Sequence, residues 1–148
     1  MTNIENLEQI ASQVRRDIVR MVHNVQSGHP GGSLGCADFF TAMFNEVMDY
    51  DSNNFSMDGL NEDIFILSNG HISPVLYSVL ARSGQIPIDE LSTFRLLNSR
   101  LQGHPAAKEG LPGVRVSTGS LGQGLSVANG IGLAKKLNGD ESKVFCLM

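Results

Sequence analysis

The sequence predicts an α/β fold in which helices flank a parallel sheet, and three observations support this. Residues 64–67 (Ile-Phe-Ile-Leu) form a short, continuously apolar run, which is typical of a strand buried on both faces of a parallel sheet. Residues 143–148, in which Lys143 precedes a second such run, predict a second buried strand. Helical periodicity lies before the first run and between the two. Strand, turn, helices and strand in this order indicate a parallel sheet.

The N-terminal part of the chain predicts two helices. Apolar residues recur at helical spacing over residues 4–25, and Thr2 with Glu5 resembles a capping box. Gly28 can end this helix in a left-handed conformation. Ser33 is expected to cap a second amphipathic helix that runs to about residue 49. A polar loop then leads to the first strand.

The segment between the two strands predicts further helices and one long loop. Residues 68–71 form a turn, a helix covers residues 73–82, and a shorter helix starts near residue 88. Residues 99–118 hold three glycines and two prolines and predict a long ordered loop, which is usually functional in a compact domain. The glycine-rich segment 119–124 opens a last helix that reaches about residue 137.

Composition excludes several classes of protein. The 148 residues with 41% hydrophobic content suit a single globular domain, and the net charge of −4 does not favour nucleic-acid binding. No apolar run approaches the roughly 20 residues needed to cross a bilayer, and the N-terminus lacks a basic stretch, so we expect a cytoplasmic protein without membrane contact. Cys36 and Cys146 lack CxxC spacing and are expected to be buried thiols.

Three of the four histidines directly follow a glycine. These are His29, His71 and His104, and proline follows the first and the third. Glycine lets the backbone turn sharply and approach a ligand closely, so such histidines are candidates for a site. The alternative is that glycine-rich turns simply collect surface histidines. The fourth, His23, is interpreted as a structural residue within the first helix.

His71 has the most informative position, because it lies between a predicted buried strand and a helix start. Open α/β sheets bind ligands at this place. Free backbone N–H groups and the helix dipole favour an anion such as phosphate there. The alternative is a helix cap whose imidazole only satisfies backbone groups.

The tetrapeptide Gly-Ser-Leu-Gly occurs twice, at residues 32–35 and 119–122, each time near a predicted helix start. The second copy continues to Gly124, and its GxxGxG spacing differs from a dinucleotide fingerprint. Close backbone contact with a flat or anionic ligand is one interpretation, and a structural turn is the other. The histidine spacing does not favour a zinc site, and the absence of Gly-x-Ser-x-Gly disfavours a serine hydrolase.

Four linked motifs resemble the N-terminal portion of transketolase. They are residues 27–32 (Ser-Gly-His-Pro-Gly-Gly), 67–71 (Leu-Ser-Asn-Gly-His), 103–105 (Gly-His-Pro) with 111–114 (Leu-Pro-Gly-Val), and 118–124 (Thr-Gly-Ser-Leu-Gly-Gln-Gly). Their order and spacing match across nearly the whole chain. The resemblance implies the diphosphate-binding domain of a thiamine diphosphate enzyme, which moves a two-carbon ketol unit between sugar phosphates in the pentose phosphate pathway.

The resemblance also implies roles for six residues. His71 would contact the cofactor diphosphate, and Gly119, Ser120 and Leu121 would line the cofactor rings through their backbone. His29 and His104 would be catalytic, because they would face the reacting carbon, bind donor hydroxyls and assist proton transfer. An imidazole with a pKa near physiological pH suits such acid–base work.

Two family features lie outside this sequence. In the family a strand such as 144–148 runs into Gly-Asp-Gly, followed later by an Asn, and these hold magnesium (or calcium) on the diphosphate. A pyrimidine-binding domain, or a C-terminal transketolase subunit, supplies a glutamate across an interface in a homo- or hetero-oligomer. We therefore expect residues 1–148 to be a diphosphate-binding domain truncated before its metal motif, inactive when isolated.

Two alternatives stay open. The chain could be a truncated, non-catalytic paralogue that serves as a binding or assembly module. A deoxyxylulose phosphate synthase is less favoured, because the glycine loop of those enzymes typically lacks the Leu-Gly-Gln-Gly run at residues 121–124.

Overall fold

The α/β architecture is confirmed by the computed structural model, which describes residues 4–148. Strands β1 (Ile64–Leu67) and β2 (Val144–Leu147) pair in parallel, with the first residues of the two strands opposite each other. The α-helices of the described chain are α1 (Ile4–Val25), α2 (Pro30–Gly35), α3 (Ala37–Ala42), α4 (Ser73–Arg82) and α5 (Gln123–Leu137).

The sheet separates two layers of helices, because alternate side chains of β1 point to opposite faces. Phe65 and Leu67 pack into the large core that α1, α3 and α4 form. Ile64 and Ile66 pack with Ala128 of α5 on the other face. All four residues of β1 are buried, as predicted.

Helix α1 has the predicted extent and buries one stripe of small and apolar residues. Ala11, Val14, Ile18 and Met21 recur every three or four positions and are at most 2% exposed. Thr2 of the predicted capping box lies outside the described residues. None of the helices within residues 4–148 is long and apolar enough to cross a membrane.

The second predicted helix begins earlier than expected. Helix α2 starts at Pro30, whose fixed φ suits the first turn of a helix. Ser33 is therefore inside the helix and does not cap it: its Oγ donates to the carbonyl of His29 at 3.0 Å. The helix is interrupted at Cys36, and α3 is followed by a π-helical turn over Met43–Val47.

Several other segments adopt tighter turns than a regular helix. The short helix expected near residue 88 is a 3-10 helix over Ile88–Thr93. The predicted loop of residues 99–118 contains one 3-10 turn, Ala107–Glu109, and is anchored by the buried side chains of Leu101, Leu111 and Val114.

Three expectations about burial and position are wrong. Strand β2 is half-buried along its length, whereas β1, its partner in the two-stranded sheet of the described chain, is buried throughout. Cys146 in that strand is consequently half-buried, and so is Cys36 at the junction of α2 and α3. His23 is exposed in the last turn of α1, where solvent surrounds it.

A buried ion pair lies on each face of the sheet. Asp17 of α1 is 4% exposed and accepts hydrogen bonds from the guanidinium of Arg82 at 2.8 and 2.9 Å and from Ser78 Oγ at 3.0 Å, both on α4. On the other face, the buried Lys135 Nζ of α5 donates to Asp140 and to carbonyls in the loop before β1. Each charge is paired, as burial requires.

Candidate active site

The candidate site lies at the carboxyl ends of the two parallel strands. Just beyond β1, the backbone N–H of Ser68 donates to the carbonyl of Leu147 at 2.8 Å. The 3-10 turn Gly70–Ile72 then leads into α4. Gly124, in the first turn of α5, lies so close to Ser68 that a Cβ atom would be 2.5 Å from the serine Cβ. Two helices therefore begin at this edge, where open α/β sheets bind ligands.

The structure brings three of the predicted site residues together at this edge. The ring centroids of His29 and His71 are 5.1 Å apart, and those of His71 and His104 are 4.6 Å apart. Both pairs meet edge to face. Successive histidines of this group are 42 and 33 residues apart in the chain. The fold therefore brings together residues that are distant in the sequence.

The three histidines differ in exposure. His29 directly precedes α2 and is exposed, whereas His71 and His104 are half-buried. His71 lies in the centre of the group. This arrangement leaves His29 the most accessible ring of the three, while the central His71 packs against both of its neighbours.

The glycine-rich loop before α5 packs directly against this cluster. Gly119 has a φ of 137°, and a Cβ atom there would lie 2.7 Å from Cδ2 of His104. A Cβ atom at Gly70 would lie 2.8 Å from the backbone of Thr118 and Gly119. Glycine is required at Gly70 because the two loops touch there through their backbones, and at Gly119 because the His104 side chain occupies the space that a Cβ atom would take.

Three buried polar atoms around the cluster lack a hydrogen-bond partner within residues 4–148. They are Nδ1 of His71, Oγ of Ser68 and Oγ1 of Thr118. Buried polar atoms are normally hydrogen-bonded, so a group of unpartnered ones marks a place where a ligand can bind. Hydroxyl and imidazole groups suit phosphate oxygens, and the adjacent helix starts favour an anion. This donor set fits a diphosphate.

Ser68 is a candidate site residue that the sequence motifs do not identify. Its signal was present, because it is the first residue after a buried strand and such positions face the ligand edge of the sheet. Thr118 begins the motif of residues 118–124, but the motif predicts no site role for it. The burial of both hydroxyls depends on loops that meet in space.

Electrostatics favour a neutral imidazole at His104. Burial lowers its pKa below the ordinary 6.5, and the nearby positive charges of His71, Arg95 and His29 lower it further. At neutral pH His104 therefore has a free lone pair on one ring nitrogen and can accept a proton.

The predicted loop residues Ser120 and Leu121 are exposed, and Leu121 is 69% exposed. Of the three predicted residues in this loop, Gly119 contacts the histidine cluster. A role for Ser120 and Leu121 in cofactor binding stays a prediction.

No group of three or more His, Cys, Asp or Glu side chains within residues 4–148 has the arrangement to hold a metal ion. The three histidine rings meet edge to face. A zinc centre made by the three is therefore not indicated.

Comparison with known proteins agrees with this geometry. Residues 7–143 match the family model described as transketolase, thiamine diphosphate binding domain. The transketolase of Buchnera aphidicola from Acyrthosiphon pisum is 42% identical over 130 residues, which are 87% of this chain and 19% of that protein. An apulose-4-phosphate transketolase subunit from Actinobacillus succinogenes is 38% identical over 146 residues, which are 97% of this chain and 51% of that protein.

Solved structures show the same similarity in three dimensions. The transketolase of Campylobacter jejuni superposes with a TM-score of 0.87 at 32% identity, covering 98% of this chain and 23% of that one. The transketolase from Leishmania mexicana gives a TM-score of 0.83 at 32% identity, covering 99% and 22%. The chain thus spans about a fifth to a half of these relatives. It belongs to the transketolase family, as a thiamine diphosphate-binding domain.

Proposed function

We propose that this chain forms part of a transketolase, which transfers a two-carbon ketol unit between sugar phosphates with thiamine diphosphate as cofactor. The observation that carries the proposal is the meeting of His29, His71 and His104 at the ligand edge of the sheet. The names of the relatives agree with this activity.

The diphosphate would be held by the buried groups that lack partners within residues 4–148. His71 Nδ1, Ser68 Oγ and Thr118 Oγ1 are available for its oxygens. The backbone of residues 119–121 would line the ring portion. Thiamine diphosphate, when bound, supplies the electron sink for breaking and forming the carbon–carbon bond.

His29 and His104 are proposed as the residues that handle substrate hydroxyls and protons. They flank His71 on its two sides. Because burial keeps the pKa of His104 below its ordinary value, its imidazole is neutral at physiological pH and can take a proton from a donor hydroxyl. The exposed His29 would donate a hydrogen bond to a second hydroxyl.

The remaining parts of the site would come from outside these 148 residues. They are the ligands for magnesium or calcium, and the glutamate of a pyrimidine-binding domain or C-terminal subunit in a homo- or hetero-oligomer. We therefore expect the 148 residues by themselves to lack activity and tight cofactor binding. The pentose phosphate pathway and a cytoplasmic location are parts of the same proposal.

A chimera tests this function. This chain would replace the matching segment of the Buchnera transketolase, and ketol transfer from a ketose phosphate to an aldose phosphate would be measured. We expect activity, with His29→Ala and His104→Ala lowering kcat by about 100-fold or more at nearly unchanged cofactor affinity. His71→Ala should chiefly weaken cofactor binding.

The matched control is His23→Ala, because His23 is exposed and has no ring contact with the three clustered histidines. It should change neither kcat nor cofactor affinity. An inactive chimera that is folded would contradict the proposed function and favour a non-catalytic module. Equal small losses of stability with unchanged kinetics in the variants of His29, His71 and His104 would also contradict it and favour a purely structural role for these turns.

A further inference from the structure

Arg95 adopts an unusual backbone conformation beside the candidate site. Its φ is 59°, in the left-handed region that residues other than glycine rarely occupy. The preceding Phe94 is 1% exposed, and the backbone N–H of Arg95 donates to the carbonyl of the buried Leu101 at 2.9 Å. The surrounding structure therefore holds Arg95 in a strained conformation, which is a common feature of functional regions.

The guanidinium of Arg95 lies between two of the glycine–histidine turns. Its Nη1 donates to Oγ of Ser27 at 2.5 Å, two residues before His29. On its other side it contacts Gly103, where a Cβ atom would lie 2.6 Å from the Nε and 2.7 Å from the Cζ of Arg95. One side chain thus touches the residues that lead into both His29 and His104.

Helix α4 fixes the second turn from the opposite side. Ser73 Oγ donates to the carbonyl of Gly103 at 2.9 Å, and the buried Tyr77 hydroxyl donates to the carbonyl of Gln102 at 2.8 Å. The Gly103 turn is therefore a fixed point. The turn before His29 is exposed, and Gly28 has a φ of 141°. Besides its own contacts with α1 and α2, this turn is joined to the fixed point through Arg95.

We propose that Arg95 is a positioning residue, which ties the His29 turn to the His104 turn and so sets the spacing of the three histidines. The effect of this positioning on catalysis rests on the proposed function. The planar guanidinium suits this task, because it can pack flat on the Gly103 backbone while one nitrogen donates to Ser27. Its Nε is buried against Gly103 and has no hydrogen-bond partner within residues 4–148, so this packing costs free energy.

The contact between Arg95 and the His104 turn can be followed through the pKa of His104. Burial, His71, Arg95 and His29 each lower the pKa of His104. Removal of the Arg95 charge should therefore raise the titration midpoint of His104, since one positive neighbour of the imidazolium disappears.

The test is an NMR titration of the histidine rings in the 148-residue chain without cofactor. Arg95→Gln should raise the midpoint of His104 and move the ring signals of both His29 and His104. Arg95→Lys retains the positive charge, so the titration midpoint of His104 should stay unchanged. It lacks the planar guanidinium, however, so the ring signals of His29 should still move. The matched control is Arg100→Gln, which breaks the pair with Glu90 and should move none of these signals.

Ser27→Ala removes the acceptor with little risk to folding. It should move the His104 ring signals through Arg95, and this effect should vanish when Arg95→Gln is already present. The proposal is overturned if Ser27→Ala leaves His104 unchanged, or if Arg95→Gln behaves as Arg100→Gln does. Because no cofactor or activity enters, failure here is distinct from failure of the chimera.

Discussion

Substitution of Gly70 by alanine tests the contact on which the candidate site depends. Gly70 follows β1, and a Cβ atom there would lie 2.8 Å from the N of Gly119 and from the C and O of Thr118. All three neighbours are backbone atoms, which cannot rotate away as the end of a side chain can. The φ of Gly70 is not positive, so any cost comes from this contact and not from backbone strain.

The size of the effect follows from the overlap. The two backbone segments must separate by about 0.6 Å to restore an ordinary contact of 3.4 Å. Overpacking of a tight contact costs about 1–3 kcal/mol, and three rigid neighbours place Gly70→Ala near the upper part of that range. For a chain of this size, a loss of about 2–3 kcal/mol lowers Tm by roughly 5–10 °C.

Thermal unfolding followed by circular dichroism measures this loss. The matched control is Gly130→Ala in α5, because a Cβ atom at Gly130 has no neighbour within 4 Å. Alanine is the better helix former, so the control should gain about 0.5–1 kcal/mol. A Tm for Gly70→Ala equal to or above that of the unchanged chain would refute the close contact between the two loops.

Two further predictions concern charges. Asp17→Asn should cost about 3 kcal/mol in urea unfolding, because it leaves the guanidinium of Arg82 without its buried partner. Asp38→Asn, which breaks an exposed pair, should cost under about 1 kcal/mol, and equal losses would contradict the account. Because the pKa of His104 is lowered on folding, the stability present above pH 6.5 is lost as the pH falls toward the lower folded-state pKa. The Tm of the unchanged chain should therefore fall relative to His104→Gln between pH 8 and pH 5; a constant difference would argue against a lowered pKa.

The sequence predicted those elements whose signal is local. The helical period of residues 4–25 and the apolar run of residues 64–67 depend on neighbouring residues, and both elements have the predicted extent. The sequence places the cap of α2 four residues too late, at Ser33 instead of His29, since Ser33 is a favoured cap but Pro30 is also a favoured first residue. Tertiary packing decides between two such local signals.

The site was predicted in part for the same reason. Glycine before each histidine marked His29, His71 and His104, but their mutual distances depend on the fold. The strained Arg95 and the buried Asp17 carry no local signal, because arginine and aspartate are ordinarily surface residues. The burial of β2 was overestimated, since an apolar run does not reveal how much of the fold packs over a strand.

The affinity for thiamine diphosphate tests the central claim most directly, because the claim is that His71 and the buried hydroxyls of Ser68 and Thr118, which lack hydrogen-bond partners within residues 4–148, form the diphosphate site. It would be measured by calorimetry with magnesium, on the chimera with and without His71→Ala. We predict that His71→Ala raises Kd by about tenfold or more, as loss of a hydrogen bond to a charged group implies. An unchanged Kd in a folded chimera would contradict the claim.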